Sequence, residues 1–184
     1  EPKVLLLDEP FSSLDNAIRL KLQETLKALV TSTQLPVVFV THQLEEAMTL
    51  ADRIVIVNEA KLWCNQAPQQ LYHNPPNVMS AKMVGFNVLD AAKLEWVDSP
   101  DLGSQDFICV RPENIFMTEN DPQLFAACIG HSFLGRGHRF NFELLDGQVI
   151  ELISNQQLSD SEIEQIVSNP KIGLSSDSWI ALRD

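Results

Sequence analysis

Cysteine is scarce in this 184-residue chain. Cys64, Cys109 and Cys128 are odd in number and unrelated in spacing, so neither a disulfide framework nor a zinc site is indicated. They read as buried or neutral thiols in a reducing cytoplasm. No apolar run approaches the ~18 residues of a spanning helix, and no signal-peptide pattern is evident, so membrane contact is expected to run through a partner. Positive charge is also short: 13 Lys and Arg face 25 Asp and Glu, a net charge of −12. That balance argues against non-specific binding to nucleic acid or to an anionic membrane surface. Internal repeats and low-complexity tracts are missing as well. With 45% hydrophobic residues, what remains is the composition of an ordinary globular protein of one or two domains.

What is present begins at once. Val4-Leu5-Leu6-Leu7 reads as a strand buried on both faces, and it ends in two adjacent carboxylates, Asp8 and Glu9. Parallel α/β sheets bind ligands beyond the carboxyl ends of their strands, where these acids are expected to lie. Asp15 is placed to cap a helix whose Ile18, Leu22, Leu26, Leu29 and Val30 share one face. Pro36 then precedes a second apolar run, Val37-Val38-Phe39-Val40, followed by Thr41 and His42. A right-handed strand–helix–strand crossover lays the two strands parallel and brings Asp8, Glu9 and His42 to one edge. Glu45 and Glu46 open the next helix, where acids suit the positive end of the helix dipole. Arg53–Val57 reads as a further strand, Asn58–Lys61 as a turn into Leu62-Trp63-Cys64, and Pro68–His73 and Val78–Val84 as helical.

Asp8-Glu9-Pro10, then Ser13-Leu14-Asp15, then Val40-Thr41-His42 resemble in order and spacing the Walker B strand, D-loop and switch histidine of the ABC transporter ATPases. Glu45-Glu46-Ala47 through Leu50-Ala51-Asp52-Arg53-Ile54 continues in the style of importer ATPases, and the resemblance covers roughly residues 1–86. It implies that Asp8 holds Mg2+ through water beside the ATP phosphates, that Glu9 is the general base for the attacking water, and that His42 contacts the γ-phosphate. Mg2+ keeps several waters, so one carboxylate beside the phosphates suffices, while a second must reach the in-line position. Ser13 and Asp15 match the loop that in this family reaches the opposite subunit. Gln43-Leu44 stands where Asp-Gln is common, and Ala60 and Ala67 stand where the family usually has Gly.

No Gly-x-x-x-x-Gly-Lys-Ser/Thr phosphate loop occurs anywhere, and no Ser-Gly-Gly-Gln signature precedes the first strand. The chain is therefore expected to be the C-terminal part of a longer protein, with a partial P-loop NTPase parallel sheet over residues 1–88. Alone it is expected to bind no ATP or Mg2+ and to be inactive.

The second half changes character. Residues 1–90 carry 10 acids and 7 bases, residues 91–184 carry 15 and 6, which supports a boundary near residue 90. Short strands are expected at Phe107–Val110, Asn114–Thr118, Leu124–His131, His138–Leu145, Gln148–Ile153 and Trp179–Leu182, with a helix at Ser161–Val167. Gly135 and Gly137 mark one turn, Asp146-Gly147 another. Val110-Arg111-Pro112-Glu113-Asn114-Ile115 resembles the start of the TOBE domain, so residues 89–184 are expected to form a small OB-like or TOBE-like barrel with a regulatory role. His73, His131 and His138 lack metal-like spacing and read as surface or structural. Arg136 and Arg139 read as a solvated hairpin.

The resemblance implies an importer subunit that hydrolyses ATP as a homodimer. Its partners would be transmembrane permease subunits and, indirectly, a periplasmic solute-binding protein, with no nucleic acid. Its place would be cytoplasmic, peripheral on the inner face of the membrane. The competing readings are a dimerisation or solute-sensing module without catalysis in residues 91–184, and a soluble ABC protein of DNA repair or translation. Met83–Leu89 resembles the junction of oxyanion importers for molybdate, tungstate or sulfate, although ferric iron, polyamine and sugar systems have related junctions.

Overall fold

Two short apolar runs joined by a capped helix set up the start of the fold. The computed structural model describes residues 2–94, 107–118, 124–174 and 179–183. The chain divides into two compact units, Glu1–His73 and Asn74–Asp184. The division falls ahead of the composition shift near residue 90 because α4 (Val78–Met83) packs on strands of the second unit.

In the first unit, β1 (Leu5–Asp8) pairs in parallel with β2 (Val37–Val40), in a register that sets Asp8 opposite Val40. α1 (Asn16–Thr33) connects them; the Asp15 carboxylate accepts from Ile18 N at 3.0 Å, and Gln34 closes the helix in the left-handed conformation. α2 (Leu44–Leu50) leads to an antiparallel hairpin of β3 (Ile54–Asn58) and β4 (Lys61–Gln66), and then to α3 (Pro68–His73). Phe11, Ile54, Ile56, Cys64 and Leu71 are its buried apolar residues.

Two expectations are corrected here. The β1–β2 ladder is not buried on both faces: Leu5, Leu7, Val37 and Phe39 are half-buried, but Leu6, Val38 and Val40 on the other side are 70%, 56% and 58% exposed. A two-stranded pair has one covered face among the described residues, so alternation replaces continuous burial. The helix α1 likewise does not bury the face of Ile18, Leu22 and Leu29, all of which are exposed. Its more buried positions are Arg19, Gln23, Leu26 and Val30, at spacings of four, three and four, which also form one helical face. What lies opposite a helix decides its burial, and here a polar contact of Arg19 takes part in that choice.

In the second unit, α4 leads through Gly85, at φ +84°, to β5 (Asn87–Asp90). The strands that follow are β6 (Phe107–Val110), β7 (Ile115–Met117), β8 (Leu124–Phe133), β9 (His138–Leu144) and β10 (Val149–Ser154). Helix α5 (Asp160–Ser168) precedes β11 (Lys171–Leu174) and β12 (Trp179–Leu182). A five-stranded antiparallel sheet runs β10-β9-β8-β11-β7, and a three-stranded one runs β12-β6-β5. Their inward residues, among them Leu89, Ile108, Val110, Ile115, Phe140, Phe142, Ile150, Leu152 and Ile172, form one core. Side-chain amides join the edge strands β5 and β10. Asn87 donates to Glu151 O at 2.8 Å and accepts from Glu151 N at 2.7 Å, while Gln148 Oε1 accepts from Asp90 N at 2.6 Å. Two open edges thereby satisfy each other, giving a barrel-like arrangement.

The Arg111-Pro112-Glu113-Asn114 segment has a physical role in this unit. Arg111 is buried; its Nη1 donates to Val84 O at 2.6 Å, and its guanidinium lies 4.1 Å from the centre of the Phe86 ring. It pins the α4–β5 junction to the end of β6, and Pro112 then opens a single 3-10 turn.

Candidate functional site

The site grows from the carboxyl edge of the β1–β2 pair. Glu9 N donates to Val40 O at 2.9 Å, extending the ladder one step past Asp8. Glu9 then adopts φ +43°, a left-handed backbone disfavoured for a residue with a Cβ, and Pro10 further narrows the choices of the residue before it. Ser12 closes the turn by donating from N and Oγ to Glu9 O, at 3.3 and 3.1 Å. Across the edge, His42 follows β2 and places its Nδ1 3.2 Å from Glu9 Oε1. These two groups, thirty-three positions apart in the chain, are brought together, and both are exposed.

Asp8 ends β1 on the exposed face that also carries Leu6, Val38 and Val40. Ser13 is exposed in the following loop, and Asp15 is engaged as the helix cap. Two carboxylates and an imidazole at the end of parallel strands are oxygen and nitrogen donors suited to a hydrated divalent cation and a phosphate. The residues present therefore fit Mg2+ and a nucleotide phosphate. A glycine-rich cradle of backbone N–H groups is not among them.

Behind the edge lies a network that the sequence did not disclose. Glu46 is only 3% exposed and accepts from Thr41 Oγ1 at 2.6 Å; Thr41 Oγ1 in turn accepts from Gln43 N at 3.0 Å. Arg19 Nη2 donates to Leu14 O at 3.1 Å, and Arg19 Nε lies 4.0 Å from Glu46 Oε1. Glu45 and Glu46 look equivalent as acids at a helix start. The one signal that separates them is helical spacing, which sets Glu46 one turn before Leu50.

Of the surface or structural roles expected for the imidazoles of the second unit, His131 and His138 take the structural one, His138 being buried. His131 Nε2 and His138 Nδ1 are 2.9 Å apart, and their ring centres are 5.2 Å apart with planes inclined by 16°. The centre spacing equals the nitrogen spacing plus the two ring radii, so the nitrogens point head-on at each other and share one N–H. Such a geometry gives a metal ion no common point of approach, and no group of three or more ligating side chains occurs among the described residues. The pair lines a cavity of about 350 Å3 with Phe133, Gln157 and Asp160.

No family model matches the chain. Curated relatives do: the chain is similar in sequence to import ATP-binding proteins. The relatives found are named spermidine/putrescine import ATP-binding protein PotA. The protein from Haemophilus ducreyi is 36% identical over 153 residues, covering 71% of this chain and 41% of its own length. That from Pseudomonas fluorescens is 34% identical over 168 residues, 79% of this chain and 45% of its own. That from Mycoplasmopsis synoviae is 36% identical over 121 residues, 66% of this chain and 26% of its own. The chain thus spans less than half the length of the curated relatives it matches. No helix among the described residues is long and apolar enough to cross a membrane.

Proposed function

We propose that this chain carries the hydrolytic edge of an ATP-binding subunit that drives solute import, together with a TOBE-like domain over residues 89–184. The observation that carries the reading is the 3.2 Å approach of Glu9 to His42 at the end of two parallel strands. Asp8 is the residue to hold Mg2+ through water, and the bound ion would supply charge neutralisation at the phosphates. Glu9 is the acceptor that orients water and takes its proton; its turn after β1 sets the carboxylate beside His42 rather than along the strand. His42 supplies a hydrogen bond toward the transferred group while its Nδ1 faces Glu9. Ser13 and Asp15 belong to the loop that meets a second copy of the subunit.

The names of the relatives favour a polyamine such as spermidine or putrescine as the imported solute, over the oxyanion suggested by the junction at Met83–Leu89. The subunit would work as a homodimer on the inner face of the membrane, against permease subunits fed by a periplasmic receptor. The chain by itself contains no phosphate loop and is expected to show no turnover of Mg-ATP.

The test is uptake of labelled putrescine, spermidine and molybdate in cells deleted for the gene. The wild-type gene should restore polyamine uptake, and a Glu9→Gln version should not. Normal polyamine uptake in the deleted cells, or a loss confined to molybdate, overturns the substrate reading. Full activity of Glu9→Gln overturns the catalytic one.

A further inference from the structure

We propose that Glu46 is a positioning residue that ties the turn carrying His42 to the loop Phe11–Asp15, so that the two edges of the site shift together. The proposal rests on the reading of this site as hydrolytic. A carboxylate buried this deeply costs stability unless it is partnered, and a dipole role at the helix start is already filled by the exposed Glu45. Glu46 instead reaches in two directions. Through Oε2 it holds the Thr41 hydroxyl, one residue before His42, and that hydroxyl caps the start of α2, where Gln43 makes no side-chain cap of its own. Through Oε1 it faces Arg19, whose guanidinium grips the Leu14 carbonyl between Ser13 and Asp15.

The link has one slack joint. Arg19 Nε and Glu46 Oε1 are both buried, neither has a hydrogen-bond partner, and they stand 4.0 Å apart. A charge-assisted N–H···O bond is about 2.7–2.9 Å, so a relative shift of about 1 Å between α1 and α2 closes it. The closed joint locks the imidazole and the loop in one arrangement; the open joint frees them.

The experiment uses this chain, with amide and imidazole NMR signals as the readout. Thr41→Val removes the hydroxyl while leaving both charges. It should move the signals of Leu14 and Asp15 as well as His42, and in a Glu46→Gln background the effect at Leu14 and Asp15 should vanish. Unchanged β3–β4 signals certify the fold, and Arg19→Lys offers a second entry into the network should Glu46→Gln not fold. Signals that move only near residues 40–43, or changes that simply add in the double variant, overturn the proposal. In a full-length protein that hydrolyses ATP, Glu46→Gln should lower kcat by about tenfold to a hundredfold with KM for ATP held within about twofold. A full-length protein without any hydrolysis would overturn the catalytic reading instead, and the NMR coupling decides the link separately.

Discussion

Ala60→Gly is expected to stabilise the first unit, and the reason lies in two backbone angles. Glu59 and Ala60 form the two-residue connection between paired Asn58 and Lys61, at φ +48° and +58°. Positive φ at both central residues is the requirement of the tight hairpin turn that suits strand twist, and glycine meets it without strain. In the hairpin turns around Gly135 and Gly147 of the second unit, glycine does occupy positive φ. The left-handed backbone costs a residue with a Cβ about 1–2 kcal/mol, and the greater freedom of glycine in the unfolded chain returns about 0.4–1 kcal/mol. The difference leaves about 0.5–1 kcal/mol in favour of glycine. For a unit of this size that is a rise of about 2–8 °C in midpoint. A thermal melt followed by circular dichroism, with hydrogen exchange at β3 and β4 amides to localise the effect, checks it. Ala60→Val, with a branched Cβ in the same conformation, should move the midpoint down. An unchanged or lowered midpoint for Ala60→Gly would refute the argument that these angles carry strain.

The same reasoning, less the exposed contact with His42 that is given up, makes Glu9→Gly stabilising by at most about 0.5 kcal/mol in denaturant melts, while it abolishes hydrolysis in a full-length ATPase. Gly137→Ala should cost about 1–3 kcal/mol or more, since a Cβ there meets Ser154 O at 2.2 Å, whereas Gly173→Ala should cost less because the exposed Phe116 ring can swing away; paired melts compare them. Burial pushes the Cys109 thiol up to about 12, against a smaller opposing pull from Lys82. The unfolded chain loses that proton first, so stability should fall as pH rises above about 9, by up to about 1.4 kcal/mol per pH unit, and Cys109→Ala should flatten the fall in a pH series of melts.

The sequence disclosed what local chemistry controls. Asp15 as a cap, Pro36 as a stop and two four-residue apolar runs were enough for the parallel pair, and turn residues located β6 to β10 and β12 of the second unit nearly to their ends. β5 and β11 escaped notice because their own residues say little. Asn87-Val88-Leu89-Asp90 is half polar, and Lys171–Leu174 contains Gly173 and is held by pairing with β7 and β8 on its two sides. The candidate site divides the same way. Asp8, Glu9 and His42 were legible because each stands at or just past a strand end. Thr41, Glu46 and Arg19 were not, because their link depends on how α1 and α2 approach each other, and the His131–His138 contact depends on hairpin register.

The bare side of the β1–β2 ladder has a practical consequence for handling the molecule. Leu6, Val38 and Val40 form a greasy strip on a ribbon that pairs with no third strand among the described residues, the kind of surface onto which further strands add. Self-association that grows with concentration should begin at this ribbon, and polar replacements at Leu6 and Val38 are the first to make when a monodisperse sample of the chain is required.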